Sequence, residues 1–316
     1  ATTEIYTLSL HDALPISTAP PPPLSARSPS PWANDPFLLV SAGGLRHSEG
    51  NMRPDHLKIS ACVTAGNEED KIAACLASLT WCDEVVVVDS FSRDKTFEIS
   101  KQYTPHVYQH PWEGYIAQKN YIRTLAHHPW ILFVDADEVV SDELRQEIEA
   151  EFGRGPGETA GYRFPRMVHY LGKWIRHGEW YPDIKLRLFR KDRGHSAGQE
   201  PHDRVVVDGG VKTLRAPLYH FTYDDLADHI YTINRFSSIS AGEKFTRGEP
   251  FRWSDLIFRP PWRFFKSYVV KLGLLDGRQG LIIALMSAFG VFVKYAKLME
   301  LWIQHRKPKP GAAAHD

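Results

Sequence analysis

Two carboxylates, Asp135 and Asp137, follow directly after the apolar run at positions 130–134. That run is too short for a typical helix and predicts a fully buried strand. Because ligands bind at the carboxyl ends of strands in open α/β sheets, this strand would deliver both carboxylates to a binding edge. Neighbouring negative charges repel each other unless a cation or hydrogen bonds neutralise them. The pattern therefore indicates a divalent metal that holds a phosphorylated ligand.

An acidic turn between a strand and a helix explains the same residues without any ligand. Ser141 is a good helix N-cap, and two further acidic residues follow it. Asp-x-Asp alone does not decide between these interpretations, so the other strand ends of the chain bear on the choice.

Two further predicted strands also end in polar side chains. Residues 58–64 predict a strand that ends at Thr64, and residues 84–89 predict one that ends at Asp89. Segments with helical spacing separate the strands, which is typical of βαβ units and a parallel sheet. Several polar strand ends at one edge form the rim that a nucleotide and metal site needs. After Thr64, we expect Asn67 to cap the following helix.

The composition excludes several other classes of protein. The chain has 316 residues and zero formal net charge, which suits one large α/β domain or two small ones and gives no indication of nucleic-acid binding. The sequence contains neither GxGxxG nor GxxxxGK[ST], so neither a dinucleotide fold nor a P-loop is supported. The three cysteines have no CxxC spacing and predict reduced core residues of a cytoplasmic protein.

The chain divides into three predicted regions. Residues 1–51 are rich in Pro, Ser and Ala after position 17, a composition that cannot bury a core. Residues 1–16 resemble the translation of a sequencing-adapter oligonucleotide. We therefore expect the natural chain to begin at Met52, with residues 1–51 disordered or artefactual. Residues 52–222 form the predicted α/β domain, and residues 223–316 the predicted helical region.

The C-terminal region combines basic, aromatic and apolar residues. Residues 247–316 contain twelve Lys and Arg against five acidic residues, a local balance of +7. The nearly continuous apolar run 280–293 is shorter than the ~20 residues needed to span a bilayer. Together these features favour a segment that lies in the interface of an anionic membrane. The alternative is a helix buried on the sheet or in a dimer.

Residues 170–187 are dense in aromatic and basic side chains. Tyr and Trp suit stacking on sugar faces, and Lys185 or Arg187 could meet phosphate. An ordinary β-hairpin with an aromatic surface explains the stretch equally well. The polar segment 200–204 follows, and a carboxylate there could act as a general base on a hydroxyl. As a bare pattern, its His-Asp pair is more often part of a turn.

Several motifs, taken together and in this order, resemble inverting glycosyltransferase family 2. They are Thr64-x-x-Asn67-Glu68-Glu69, the segment 81–96 with Asp89, Asp94 and Thr96, Trp112-Glu113-Gly114-Tyr115, and Asp135-Ala136-Asp137-Glu138. The stretches 170–178, 180–190 and 274–280 are similar to the lipopolysaccharide core β-1,4-glucosyltransferase branch. The resemblance covers about residues 57–302 and is specific because many separate motifs occur in the right order.

The resemblance implies a fold and a donor. The fold is GT-A, an α/β fold with a mostly parallel central sheet flanked by helices, followed here by the helical C-terminal extension. The donor is a UDP-sugar, with Asp89 reading the uracil and Thr64 and Glu68 lining the same pocket. Further residues implied to bind the nucleotide sugar are Asn67, Lys119, Asn120, Asp135 and Arg187.

The resemblance also implies a metal and a base. Mg²⁺ or Mn²⁺ would bridge the diphosphate and stabilise the UDP leaving group, with Asp137 as the more direct ligand and Asp135 nearer the nucleotide. Asp203 would deprotonate the acceptor hydroxyl for in-line attack and inversion. This branch usually carries Glu there, so Asp203 has a shorter reach. In the turn 90–96, Phe91 and two basic residues replace the usual small residues.

The leading hypothesis is therefore an inverting, metal-dependent transferase that moves a hexose, with glucose as first candidate, from a UDP-sugar. Its acceptor would be a lipopolysaccharide core or another lipid-linked glycan. We expect a peripheral protein on the cytoplasmic face of a bacterial inner membrane, in contact with its anionic surface and not with nucleic acid. The alternatives are another donor sugar, a polyprenyl-phosphate acceptor, or a non-catalytic sugar-nucleotide binding protein. Asp89, Asp135 and Asp137 argue against loss of activity.

Overall fold

The computed structural model describes residues 53–199 and 202–306 of the chain. The predicted N-terminal extension with Met52, and Glu200 and Pro201 of the polar segment 200–204, lie outside the described residues. Strands and helices alternate as far as residue 135, and a short strand and a helix follow as far as residue 154. Strands then continue as far as residue 220, and helices complete the described chain.

Twelve strands and seven longer helices make up the described residues. The strands are β1 (Ile59–Ala65), β2 (Glu84–Asp89), β3 (Val107–Gln109), β4 (Trp130–Asp135), β5 (Glu138–Val140), β6 (Thr159–Tyr170), β7 (Lys173–Trp174), β8 (Asp183–Arg190), β9 (Gly194–Gln199), β10 (His202–Val207), β11 (Gly210–Thr213) and β12 (Leu218–His220). The helices are α1 (Ile72–Ala77), α2 (Thr96–Tyr103), α3 (Tyr115–Leu125), α4 (Asp142–Arg154), α5 (Leu226–Thr246), α6 (Trp253–Phe265) and α7 (Gly277–Arg306).

Most strands belong to one sheet, with the order β3-β2-β1-β4-β8-β6-β12-β5, and β7 and β11 also pair with β6. The strands β1 to β4 are parallel, as predicted. Beyond β4 the sheet is mixed, because β8 runs antiparallel to both β4 and β6, and β5 runs antiparallel to β12. The strands β9 and β10 form a separate hairpin. The parallel half therefore places its strand ends at one edge.

The predicted strand at 130–135 is buried on both faces. Leu132 and Val134 pack into the core that contains α1 and α4, whereas Ile131 and Phe133 pack into a second core that contains Ile122 of α3. Covering both faces with helices is typical of parallel sheets and explains why the run is continuously apolar. All three cysteines are free, as predicted.

Three helices follow the sheet, in the region predicted to be helical. Side chains of α5 and α7 meet in a small core that contains Ala241, Tyr295 and Leu298. The apolar run 280–293 lies within α7, which continues well beyond it. Within the described chain, one helical stretch, Gly273–His305, is long and apolar enough to cross a membrane by length and composition. The full helix is therefore longer than the apolar run from which the sequence predicted an interfacial segment.

Candidate active site

The polar strand ends identified in the sequence meet at one edge of the sheet. Thr64 of β1 lies opposite Asp135 of β4, and Ala65 lies opposite Asp89 of β2. This register confirms that the three predicted strand ends are neighbours. The carboxylates of Asp89 and Asp135 therefore belong to a single cleft edge formed by the parallel half of the sheet.

Asp135 is held by two buried cations. Lys119 Nζ lies 3.1 Å from Asp135 Oδ1, and Arg187 Nη2 lies 2.5 Å from Oδ2. Burial raises the pKa of Asp135, but the charges of Arg187 and Lys119 outweigh it and hold this pKa far below its ordinary value. Both carboxylate oxygens thus bind protein cations. The direct metal coordination that was also predicted for Asp135 stays a prediction.

Asp137 has a different partner, His220 at the end of β12. His220 Nε2 lies 3.0 Å from Asp137 Oδ2, and Thr222 Oγ1 lies 2.7 Å from the other ring nitrogen. Burial raises the pKa of Asp137, but the imidazole of His220 outweighs it and lowers the pKa below its ordinary value. A carboxylate oxygen and an imidazole nitrogen, both of which are possible metal ligands, therefore face each other. The Thr222 hydroxyl orients the imidazole.

Sequence analysis did not identify His220 as a site residue. It lies 83 residues after Asp137, and only the pairing of β12 with β5 brings the two together. The available signal was a short strand, Leu218–His220, that ends in a polar residue, as β2 and β4 do.

Glu68 lies close enough to Asp137 to be affected by its charge, and its backbone N–H donates to Thr96 Oγ1 at 2.8 Å. Its predicted place in the Asp89 pocket stays a prediction. Burial, together with the negative charge of Asp137, raises the pKa of Glu68 to about 7. The cation of Lys71 acts in the opposite direction and lies 3.7 Å from the Glu68 carboxylate. Lys71 Nζ also lies 3.2 Å from Asp224. This side of the cleft is therefore acidic and only partly neutralised.

Asp89 is fully buried and is held by its own turn. Its carboxylate accepts hydrogen bonds from the Ser92 backbone N–H, from the Ser92 hydroxyl and from Gln109 Nε2 at 3.0 Å. Gln118 Nε2 donates to Ser90 Oγ at 3.1 Å in the same turn. Amide and hydroxyl groups therefore position the Asp89 carboxylate, which was predicted to read the uracil. Such groups also suit hydrogen bonding to the polar edge of a nucleobase.

Asn67 does not cap the following helix, which begins only at Ile72. Its backbone has a positive φ of 58°, and its Oδ1 accepts a hydrogen bond from the Arg93 N–H at 2.9 Å. Its own N–H donates to Ser92 Oγ at 2.8 Å. Asn tolerates the left-handed conformation better than most residues, so Asn67 ties the turn after β1 to the turn after β2.

Asp203, the predicted base, lies on β10 beside Lys119. Lys119 Nζ donates to Asp203 Oδ2 at 3.0 Å and therefore bridges Asp203 and Asp135. Lys119 itself is nearly completely buried. The structure thus brings together Lys119, Asp135 and Asp203, three residues that the sequence analysis named separately. Glu200, the other carboxylate of the polar segment, lies outside the described residues.

Asn120 contacts the hairpin that carries Asp203. Its Nδ2 donates to the Ser196 carbonyl at 2.8 Å, and its Oδ1 accepts from the Ser196 N–H at 3.0 Å. Both halves of the amide are therefore used to hold β9 against α3. The structure gives Asn120 a positioning contact, and its predicted contact with the nucleotide stays a prediction.

Arg187 is buried between two carboxylates. In addition to Asp135, its Nη2 donates to Glu138 Oε1 at 2.9 Å, and Glu138 is completely buried. Burial lowers the pKa of Arg187, but the two carboxylates outweigh this effect and raise the pKa above its ordinary value. Arg187 Nε is buried without a partner within residues 53–199 and 202–306. The guanidinium is therefore fixed in place with one N–H group still available.

These features agree with what comparisons with known proteins show. The model of the family described as glycosyl transferase family 2 matches residues 60–208, from β1 to just beyond β10. The chain is 30% identical over 252 residues to the lipopolysaccharide core biosynthesis glycosyltransferase LpsC of Rhizobium meliloti, and the match covers 77% of this chain and 93% of that protein. The chain therefore belongs to glycosyltransferase family 2, is an enzyme of that class and has the predicted GT-A fold.

One further relative and two solved structures are also similar to this chain. An uncharacterized glycosyltransferase of Rickettsia typhi is 29% identical over 262 residues, which are 79% of this chain and 89% of that protein. The structure of S. aureus TarS 1-349 in complex with UDP-GlcNAc has 16% identity and a TM-score of 0.42, covering 80% of this chain and 93% of that one. Glucosyl-3-phosphoglycerate synthase from Mycobacterium tuberculosis, in complex with Mg²⁺ and UDP, has 13% identity and a TM-score of 0.40, with 61% and 80% coverage.

Proposed function

We propose that this glycosyltransferase moves a hexose, glucose first among the candidates, from a UDP-sugar to a lipopolysaccharide-core or other lipid-linked glycan, with inversion at the anomeric carbon. The observation that carries the proposal is the facing pair Asp137 and His220 at 3.0 Å. This pair lies at the same sheet edge as the buried Asp89. LpsC, the relative named for lipopolysaccharide core biosynthesis, supports the choice of acceptor.

The residues present fit a divalent cation. Mg²⁺ is usually held by one or two protein carboxylates together with substrate phosphates, and imidazole is an acceptable ligand for first-row metals. Asp137 and His220 would hold Mg²⁺ or Mn²⁺, and Thr222 would orient the imidazole. When bound, the metal would neutralise charge that develops on the UDP leaving group. Within the described residues, no group of three or more His, Cys, Asp and Glu side chains that could hold a metal ion occurs.

The donor would occupy the strand-end cleft. Asp89 would accept a hydrogen bond from the uracil, and Thr64 and Asn67 would line the uridine pocket between the turns after β1 and β2. The buried, unpartnered Nε of Arg187 would donate to the donor, for which a diphosphate oxygen is a suitable acceptor. Asp135, which both Lys119 and Arg187 hold ionised, would orient these cations rather than bind the metal directly.

Asp203 would act as the general base. It takes the proton of the acceptor hydroxyl while that oxygen bonds to the anomeric carbon, and the bond from this carbon to the β-phosphate oxygen breaks with its electron pair leaving on UDP. Lys119 holds the carboxylate in place at 3.0 Å and links it to the donor side of the cleft through Asp135.

The C-terminal helices would bring the enzyme to its lipid-linked acceptor. We define the C-terminal apolar surface as the exposed large apolar side chains of α6 and α7, which are Trp253, Ile257, Phe258, Trp262, Phe265, Leu281, Leu285, Phe289, Phe292 and Ile303. Trp253, Phe258 and Trp262 are 64%, 69% and 60% exposed, far more than is usual for such residues in water. Arg259 and Lys266 lie among them, as expected for contact with an anionic cytoplasmic leaflet.

A transfer assay tests the acceptor assignment. The full-length enzyme would be incubated with UDP-[¹⁴C]glucose and lipopolysaccharide truncated within its core, and radioactivity in the lipopolysaccharide would be measured. We expect incorporation that stops when the reaction lacks enzyme or acceptor. If label enters polyprenyl phosphate in a lipid extract and never lipopolysaccharide, the proposed acceptor is wrong although the donor assignment stands.

A further inference from the structure

A second cleft lies outside the site described above. It has a volume of about 320 Å³, at the lower end of the ~300–1,000 Å³ typical of small-molecule sites. The residues that line it are Met167, Trp174, Arg176, Tyr181, Pro217 and Tyr219. Successive side chains of a strand point to opposite faces, so Tyr219 faces away from its neighbour His220. Neither Asp137 nor His220 is among the residues that line the second cleft.

The lining of this second cleft combines an aromatic wall with two available hydrogen-bond donors. The rings of Trp174 and Tyr219 lie 4.5 Å apart at an angle of 34°. Within residues 53–199 and 202–306, neither the indole N–H of Trp174 nor the guanidinium of Arg176 has a hydrogen-bond partner. Arg176 is exposed and makes no ion pair within the described chain. Its charge is therefore available to a ligand.

We propose that the second cleft binds a pyranose ring that carries an acidic group, as a subsite for a non-reacting sugar of the acceptor glycan. This inference rests on the proposed function. The apolar C–H face of a pyranose packs against aromatic rings, while its hydroxyls accept hydrogen bonds from groups such as an indole N–H. The guanidinium of Arg176 would bind a carboxylate or phosphate in a charge-assisted, bidentate manner. Because the second cleft contains neither the proposed metal ligands nor Asp203, the bound sugar is not the one that receives the hexose.

The loop that carries Arg176 is held rigidly. The backbone N–H groups of Arg176 and His177 donate to the carboxylate of Asp276 at 3.2 and 2.8 Å, and Asp276 is only 2% exposed. The N–H of Gly178 donates to the Lys271 carbonyl at 2.8 Å. A loop fixed before binding loses little further entropy when a ligand binds, which favours recognition of a small sugar.

The same contacts join the second cleft to the helical region. Lys271 and Asp276 lie between α6 and α7, the helices that carry the C-terminal apolar surface. Glu179, close to Tyr181 in sequence, binds Arg263 of α6 at 2.6 Å. A glycan whose lipid anchor lies against this surface would therefore meet the loop of the second cleft. This continuity selects an acceptor glycan, rather than a free metabolite, as the occupant.

Saturation-transfer NMR on the full chain tests this subsite directly. The probes are glucuronate, glucose 6-phosphate and the neutral methyl glucoside. We expect the acidic sugars to bind more tightly than the glucoside, and Arg176→Gln to remove this preference with a loss of about fivefold or more. Trp174→Ala should abolish binding of all three probes. Trp112→Ala, which removes another half-exposed tryptophan, is the matched control and should leave binding unchanged.

Two results would overturn the proposal. One is undiminished binding of the acidic sugars by both Trp174→Ala and Arg176→Gln. The other is loss of binding in Asp137→Asn alone, which would place the probes in the donor site.

In the transfer assay, Arg176→Gln should raise KM for the lipopolysaccharide acceptor and leave kcat and UDP-sugar hydrolysis unchanged. Absence of UDP-sugar hydrolysis in the wild-type enzyme would instead contradict the proposed function, and the NMR result does not depend on it.

Discussion

Lys119 compensates two carboxylates at once at the centre of the site. Its Nζ lies 3.1 Å from Asp135 and 3.0 Å from Asp203, and the side chain is only 5% exposed. A buried cation with two acidic partners is costly to remove, because both carboxylates would then lack compensation. Through Lys119, the predicted base is linked to the nucleotide edge of the sheet. A change in the charge of Asp203 should therefore affect the site.

Replacing Asp203 with Asn should separate chemistry from binding. Because the amide cannot accept the acceptor proton, we expect transfer to fall by about 10²–10⁴-fold while KM for the UDP-sugar changes little. Asp203→Glu keeps the carboxylate and should retain more activity than Asp203→Asn. The matched control is Asp208→Asn, on the exposed turn after β10, which should behave like the wild type. Transfer by Asp203→Asn at the wild-type rate would exclude this residue as the base.

Glu68 should make stability depend on pH. Its pKa is raised from 4.5 to about 7, so the folded state keeps a proton that the unfolded state releases between these values. The stability from this proton is present below about pH 4.5 and is lost as the pH rises through 7. Glu68→Gln should therefore gain thermal stability relative to the wild type as the pH rises from 5 to 8. Each kcal/mol gained in the free energy of unfolding would raise the unfolding midpoint by roughly 2–4 °C.

Thermal unfolding midpoints at pH 5 and pH 8 measure this effect. The control is Glu143→Gln, an exposed carboxylate in the first turn of α4, for which the difference from the wild type should not change with pH. An equal difference for Glu68→Gln at both pH values would show that the acidic side of the cleft does not hold a proton on Glu68.

At the residue scale, local pattern could identify some residues of the candidate site and not others. Asp135 and Asp137 were predictable because a buried strand leads directly into them, and Asp89 because its strand ends in the same way. His220 was not, since its position depends on how β12 pairs after a long excursion of the chain. Asn67 was given the wrong local role, because its side chain bonds the Arg93 N–H from another turn instead of its own helix.

At the scale of elements, Asn120 of α3 helps to hold the β9–β10 hairpin in place. Asn120 makes both amide hydrogen bonds to Ser196 across 76 residues. Removing them leaves a buried backbone group without a partner, which costs about 1–3 kcal/mol. Asn120→Ala should therefore lower the unfolding midpoint and displace Asp203, and reduce kcat for transfer more than it changes KM for the UDP-sugar.

Kinetics with and without acceptor check the role of this hairpin. UDP-sugar hydrolysis by Asn120→Ala should fall less than transfer to lipopolysaccharide, because the hairpin carries the base and not the donor residues. A selective rise in KM for the UDP-sugar, with unchanged kcat, would instead support the contact with the nucleotide that the sequence predicted for Asn120.

The predicted alternation of strands and helices is confirmed for β1 to β4, where hydrophobic runs and short helices repeat regularly. The sequence could not give the pairing of the later strands. The antiparallel position of β8 beside β4 and the return of β12 to β5 depend on long-range contacts that no local period encodes. These two pairings complete the site, since β8 brings Arg187 and β12 brings His220.

At the scale of the whole molecule, the C-terminal apolar surface should determine membrane binding. We expect the full-length protein to sediment with vesicles that contain phosphatidylglycerol. A triple substitution of Trp253, Phe258 and Trp262 with Ser should reduce this binding by about tenfold or more, because each aromatic group loses its apolar contact with the interface. Trp112→Ser removes an exposed aromatic side chain outside this surface and serves as control. Undiminished sedimentation of the triple variant would show that another surface binds the membrane.

Turnover of UDP-sugars by the wild type and by Asp137→Ala, with and without Mn²⁺, tests the central claim most directly. UDP release from a panel of UDP-sugars should require Mn²⁺ or Mg²⁺ in the wild type. UDP release should fall by about 10²-fold or more in both Asp137→Ala and His220→Ala, because each removes one of the two proposed metal ligands. Circular dichroism should show that both variants remain folded. Metal-independent turnover, or undiminished turnover in either folded variant, would contradict the proposed site.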